Sequence, residues 1–127
     1  MTLRILLADD NAINRELVTL SLGHLGYVVD VVTNGEEVLT LLETEDYGLI
    51  LMDIEMPKVD GPTATARIRA ELPAERQPYI VALTGNSLPA DREYYTKVGM
   101  NGYVGKPFGI EALERAVAEA EAYWAEQ

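Results

Sequence analysis

The sequence has no cysteine, one histidine, one phenylalanine and one tryptophan. Without cysteine there can be no disulfide, no thiolate zinc site and no cysteine nucleophile. A lone histidine, His24, excludes a multi-histidine metal site and argues against a histidine-based triad. Long hydrophobic runs are also missing. None approaches the roughly 20 residues that a membrane helix needs, and residues 1–4 show no signal-peptide pattern. A cytoplasmic protein with no membrane contact is the expectation. Basic residues are scarce: 10 Lys and Arg against 21 Asp and Glu, a net charge of −11. Such a chain is repelled by nucleic-acid backbones and favours cations and basic partner surfaces. Taken alone, that charge need do no more than aid solubility.

What is present fits one ordinary domain. The 127 residues suffice for a single core and read as one unit, 1–127. No linker, repeat or low-complexity segment interrupts them. Short apolar runs alternate with longer amphipathic stretches. Residues 3–8 (LRILLA), 27–32 (YVVDVV), 48–53 (GLILMD), 79–84 (YIVALT) and 102–104 read as strands. Near-continuous apolar strands imply a parallel sheet covered on both faces. Residues 12–25 carry Ile13, Leu17, Leu20 and Leu25 at amphipathic spacing, and Gly26 ends the helix. Residues 35–44, 62–72, 89–98 and 110–124 complete the predicted helices, the third and fourth opening on proline. The last carries Ile110, Leu113, Val117 and Ala120 at helical spacing. Strand then helix, five times over, predicts a doubly wound α/β domain with a five-stranded parallel sheet and five helices.

In such folds ligands bind beyond the carboxyl ends of the strands. The first strand runs into Asp9 and Asp10, the third ends on Asp53, the fourth on Thr84, and the fifth leads to Lys106 and Pro107. In one parallel sheet these residues converge on one edge. Two carboxylates about 4 Å apart repel by roughly 4 kcal/mol at an effective dielectric of 20. A raised pKa, a lysine or a divalent cation must relieve that. An oxygen-only set suits Mg²⁺, with Lys106 and the Thr84 hydroxyl available to phosphoryl oxygens and an aspartate as nucleophile. Each residue also has a plainer reading. Asp9, Asp10 or Asn11 would serve as a helix cap, Asp53 as a turn residue before Met56 and Pro57, Thr84 as a β-branched strand end, and Lys106 as a solvated loop lysine. All four holding at once, at matching strand ends, asks more than a shared site does.

Other motifs fail on their spacing. Lys106 follows Gly105, but a phosphate-binding P-loop needs glycine at position 100 and Ser or Thr after the lysine, where Met100 and Pro107 stand. No G-x-G-x-x-G is present, and Pro57 spoils any likeness of Asp53 and Glu55 to a calcium loop. His24 falls at the far end of the first helix. Tyr123 and Trp124 read as packing or partner contacts.

The segments LLADDNAINRELV, LILMDIEMPKVDG, VALTGNS and GYVGKPF, in this order, resemble the receiver domain of two-component response regulators across essentially the whole chain. The resemblance implies a flavodoxin-like fold of receiver type. It implies that Asp53 accepts a phosphoryl group from a phosphohistidine. It makes Asp10 the direct Mg²⁺ ligand (with Mn²⁺ as an alternative), Asp9 its partner through water, and the backbone carbonyl of Glu55 a further ligand. Lys106 would pair with the phosphoryl oxygens and Pro107 would follow a cis peptide, which is essentially a proline phenomenon. Thr84 would turn inward to the phosphoryl group and Tyr103 would follow into the space it leaves. The outer face, from 89–98, 102–104 and 110–124, would then change its partner affinity. A strand tyrosine that never moves is the alternative for Tyr103.

Glu55 and Asn86 stand where this family tunes the lifetime of the acyl phosphate; Glu55 could repel an attacking water or position it. Gly85 replaces a frequent alanine, leaving more room for Tyr103, and Val59 replaces a frequent methionine. The opening DDNAINRELV is most like receivers of hybrid sensor kinases. Expected partners are a sensor histidine kinase or a histidine phosphotransfer domain, and a second copy of the chain through the outer face. The chain is either a stand-alone regulator or a piece of a longer one. It is read as a signalling module that catalyses only its own phosphorylation and slow hydrolysis. Two other readings stay open: a partner-binding pseudo-receiver, and a phosphohydrolase that uses an aspartyl-phosphate. The second is weakened by Glu55, which stands where such enzymes carry a second aspartate.

Overall fold

The computed structural model describes residues 3–85 and 89–127. Five strands, β1 (Ile5–Ala8), β2 (Val29–Val32), β3 (Leu49–Asp53), β4 (Tyr79–Thr84) and β5 (Gly102–Gly105), form one parallel sheet in the order β2-β1-β3-β4-β5. The helices are α1 (Ala12–His24), α2 (Gly35–Leu41), α3 (Gly61–Glu71), α4 (Pro89–Val98) and α5 (Ile110–Ala125), with a single 3₁₀ turn at Ala74–Arg76. The doubly wound expectation is met.

Every residue of β1, β3 and β4 is buried, because both faces of the sheet are covered. The two-residue period of a strand divides their side chains between two cores. Ile5, Leu7, Leu49, Leu51, Val81 and Leu83 pack against Val18 and Leu22 of α1 and Leu113, Ala116, Val117 and Ala120 of α5. Leu6, Ala8, Ile50, Met52, Ile80 and Ala82 pack against Val38 of α2, Ala64 and Ile68 of α3, and Tyr95 of α4. α1 therefore leaves β1 toward one face and α3 leaves β3 toward the other. The gap between β1 and β3 is the switch point where a ligand site is expected.

Anchoring differs sharply among the helices. α5 buries Leu113, Ala116, Val117 and Ala120, whereas Tyr95 alone of the described α4 side chains is buried. A large apolar side chain contributes about 1.5–3 kcal/mol when fully buried, so α4 is held more lightly than α5.

The apolar stripe read on the first helix does not face the core. Ile13 is 76% exposed, Leu17, Leu20 and Leu25 are exposed too, and Val18, Ser21 and Leu22 point inward. Val18 and Leu22, four residues apart, are the apolar pair that the core takes, and on the same side Asn14 and Arg15 bond to Asp9, which favours the same rotation of α1. Ile110 is likewise exposed, while the other three α5 positions are buried. Strand starts are shorter than the apolar runs: Leu3 stays in the core outside the ladder, and Val28 is exposed beside the edge strand. α2 stops at Leu41, three residues before the predicted end.

Candidate functional site

The carboxyl ends of β1 and β3 bring Asp9, Asp10 and Asp53 together, with one carboxylate oxygen of each within 4.8 Å of the others. Asp9 is fully buried and Asp53 nearly so, whereas Asp10 is exposed. Helix capping falls to Asn11, whose side chain accepts from the Asn14 backbone N–H at 2.9 Å. Asp9 and Asp10 are thereby relieved of the capping role that competed with a site.

Asp9 is fixed from several sides. Its carboxylate accepts from the Asn11 backbone N–H at 2.9 Å and the Asn14 amide at 3.2 Å. The Arg15 guanidinium donates to its carbonyl oxygen at 3.0 Å. Lys106 reaches over from the loop after β5, its Nζ 3.0 Å from Asp53 and 3.9 Å from Asp9. The Lys106–Pro107 peptide is cis, as expected.

Asp53 also receives the Glu55 backbone N–H at 3.3 Å. Behind it the loop folds tightly. The Gly61 N–H donates to the Ile54 carbonyl at 3.0 Å, and a methyl group at Gly61 would overlap the Asp53 carbonyl. Burial raises the Asp53 pKa above the ordinary carboxylate value; Lys106 opposes that shift and the charge of Asp9 adds to it. The three carboxylates thus outnumber the one lysine among them. A hard, oxygen-only donor set with surplus negative charge is suited to a small divalent cation.

Thr84 ends β4, one residue beyond the Leu83 that pairs with Asp53, and is buried. Its hydroxyl lies 3.1 Å from the Tyr95 hydroxyl of α4. Tyr103 is 42% exposed, with the Arg92 guanidinium 4.7 Å above its ring centre. Glu55 is exposed beside Asp53. Asn86 lies outside the described residues. Among the described residues, a Cβ built at Gly85 meets nothing within 4 Å, the Tyr103 ring included. His24 is in the last turn of α1, and Trp124 donates to the Gly48 carbonyl at 2.8 Å, a packing role.

Sequence reasoning assigned no role to Asn14, Arg15, Arg92 or Tyr95. For the first two a signal existed, since the first turn of a helix leaving Asp9 must pass its carboxylate. Arg92 and Tyr95 carry no motif; their partners are set by how α4 docks.

The model of the response regulator receiver domain matches residues 5–118. The chain is 40% identical over 119 residues to hybrid signal transduction histidine kinase F of Dictyostelium discoideum, covering 90% of this chain and 11% of that protein. The chain therefore spans about a tenth of the length of that curated relative. Among solved structures, the receiver domain of a sensor histidine kinase from Pseudomonas aeruginosa PAO1 is 39% identical, with a TM-score of 0.83 over 94% of this chain and 97% of that one. That domain was solved with magnesium coordinated in its active-site cleft. A chemotaxis response regulator of Vibrio cholerae is 25% identical, with a TM-score of 0.87 over 94% and 99% of the two chains. With the sheet order, the acidic cluster and its lysine in place, the chain belongs to the response regulator receiver domains, the phosphoacceptor modules of two-component and phosphorelay signalling.

Proposed function

We propose that Asp53 is the phosphoacceptor and that Lys106, Thr84 and the Asp9–Asp10 pair serve it. The carrying observation is the Lys106 ammonium 3.0 Å from the Asp53 carboxylate, on the edge where Asp9 and Asp10 stand within 4.8 Å of it. An Asp53 oxygen attacks the phosphorus of a phosphohistidine. The P–N bond breaks, its electron pair returns to the imidazole, and an acyl phosphate remains on Asp53. Lys106 then pairs with a phosphoryl oxygen and the Thr84 hydroxyl donates to another. Water later cleaves the acyl phosphate to inorganic phosphate and the free carboxylate. The protein is in this sense a catalyst of its own modification only.

Asp10 would hold Mg²⁺ directly and Asp9 through water, and Asp53 with the Glu55 carbonyl would complete the protein's share; Mn²⁺ would suit the same oxygens. When bound, the cation offsets carboxylate charge and holds a phosphoryl oxygen in place. Glu55 and Asn86 tune the lifetime of the acyl phosphate. Thr84 and Tyr103 are the switch, and the face formed by α4, β5 and α5 is the surface whose affinity changes, for a partner or for a second copy.

Residues 1–127 act as one receiver unit. The donor is a sensor histidine kinase or a histidine phosphotransfer domain, met in the cytoplasm. The net charge of −11 speaks against nucleic acid as a partner of this domain.

The test is intact-protein mass after incubation with acetyl phosphate and Mg²⁺, beside Asp53→Ala and an EDTA control. One metal-dependent phosphoryl adduct, absent from the variant, is expected. Wild type that binds Mg²⁺ yet forms no adduct would overturn the acceptor role and leave a partner-binding module.

A further inference from the structure

The two side chains assigned to the switch are both engaged by α4. Tyr95 places its hydroxyl 3.1 Å from the Thr84 hydroxyl. Arg92 lies over Tyr103 at 4.7 Å from the ring centre, on the solvent side of β5. Arg92 and Tyr95 are three residues apart, hence neighbours on one turn of the helix. We propose that Arg92 and Tyr95 are positioning residues that latch Thr84 and Tyr103 in the unphosphorylated arrangement. This rests on the reading of Asp53 as acceptor and of Thr84 and Tyr103 as the switch.

The sign follows from what each bond does on switching. A Thr84 hydroxyl that turns to the phosphoryl group gives up the Tyr95 phenol. Tyr95 is buried, so its hydroxyl then gives up this hydrogen bond away from bulk solvent. Either Tyr95 bears that cost or it moves. It is the buried anchor of α4, so its movement carries α4 with it. Likewise, Tyr103 can turn inward only by leaving the Arg92 guanidinium. Both contacts therefore oppose activation, and their release is a route from Asp53 to the outer face. Removing the phenol oxygen destabilises the resting arrangement without removing any group that binds a phosphoryl oxygen.

The test uses beryllofluoride with Mg²⁺ as the phosphoryl mimic, titrated calorimetrically, with thermal unfolding as the folding control. Tyr95→Phe is expected to bind roughly three- to tenfold more tightly than wild type, the net worth of one buried hydrogen bond. Arg92→Gln is expected to tighten binding about two- to fivefold, as for an exposed cation–π contact. A packing role for Tyr95 would give the same change whatever residue 84 is. A latch predicts that Tyr95→Phe has no effect on affinity in a Thr84→Ala background. Unchanged or weaker binding by folded Tyr95→Phe, or an equal shift in both backgrounds, would overturn the latch while leaving Asp53 as acceptor. Wild type that fails to bind the mimic in an Asp53-dependent way would overturn both, because the latch would have nothing to restrain.

Discussion

Asp53 sits in a place that is costly for a carboxylate, as the phosphoacceptor role proposed for it would require. It is buried, it faces Asp9, and Lys106 answers only part of the combined charge. Neutralising it without changing its shape should therefore help the metal-free fold. Asp53→Asn is expected to raise stability at neutral pH in EDTA by on the order of 1 kcal/mol, or a few degrees of melting temperature. Adding Mg²⁺ should raise the melting temperature of wild type and move the variant much less. Differential scanning calorimetry with and without Mg²⁺ checks both; a less stable Asp53→Asn protein in EDTA would refute the repulsion argument. At this scale much of the site is legible from sequence. Asp9, Asp10, Asp53, Thr84 and Lys106 are found by asking what ends each strand. Asn14 and Arg15 could be suspected from their place in the first turn after Asp9, but their contacts follow only from the rotation of α1. Tyr95 and Arg92 are not visible at all, because their contacts cross between elements that sequence spacing does not relate.

The elements hold the site through their ends. Asp60 caps α3, accepting from the Thr63 backbone N–H at 2.8 Å, and Gly61 brings the start of α3 against the backbone of Asp53. Gly61→Ala is expected to push β3 and α3 apart, lowering stability by about 1–3 kcal/mol as for other overpacked positions. It should slow adduct formation from acetyl phosphate as Asp53 shifts; a variant with wild-type stability and rate would show that the loop yields freely. At α2 the cap is electrostatic. Glu37 accepts from the Thr33 backbone N–H at 2.7 Å and its hydroxyl at 2.8 Å, while Asn34 accepts from the Glu37 N–H at 2.9 Å. The bonds to the Thr33 backbone and hydroxyl lower the Glu37 pKa below the ordinary 4.5. A lowered folded-state value means that the contribution is present above pH 4.5 and is lost as pH falls through that lower value. Glu37→Gln should thus be slightly less stable than wild type at pH 7, the gap small because Glu37 faces solvent. The two melting curves should draw together as pH falls below 4.5 and Glu37 takes up its proton. A gap that persists there would mean the carboxylate charge is not what caps α2. Element types and order were readable from apolar period and proline placement. The rotation of α1 was not, since the helix carries two apolar spacings, one of Ile13, Leu17 and Leu20 and one of Val18 and Leu22, and the one that meets the core lies on the side where Asn14 and Arg15 bond to Asp9.

Across the whole molecule, the two ends of the sheet do different work. Asp9, Asp10, Asp53, Thr84 and Lys106 gather at the carboxyl ends. The opposite end is tied by aromatic packing: Tyr79 stacks on Tyr123 at 5.4 Å, Tyr123 meets Trp124 edge-on at 5.5 Å, and Trp124 bonds to the Gly48 carbonyl. These contacts hold the last turns of α5 beneath β3 and β4, at the opposite end of the sheet from Asp53. A parallel sheet makes this separation natural, because each strand delivers its carboxyl end to one edge and its start to the other. Stability at the far end should then be adjustable without touching the chemistry. Trp124→Phe keeps an aromatic ring but removes the donor to Gly48, and is expected to cost about 1–2 kcal/mol, several degrees of melting temperature for a domain of this size. Below its melting range, adduct formation from acetyl phosphate and Mg²⁺ should proceed at the wild-type rate. A clear loss of rate in a folded Trp124→Phe protein would show that the far end is coupled to Asp53 through the sheet, and that α5 takes part in the switch along its whole length.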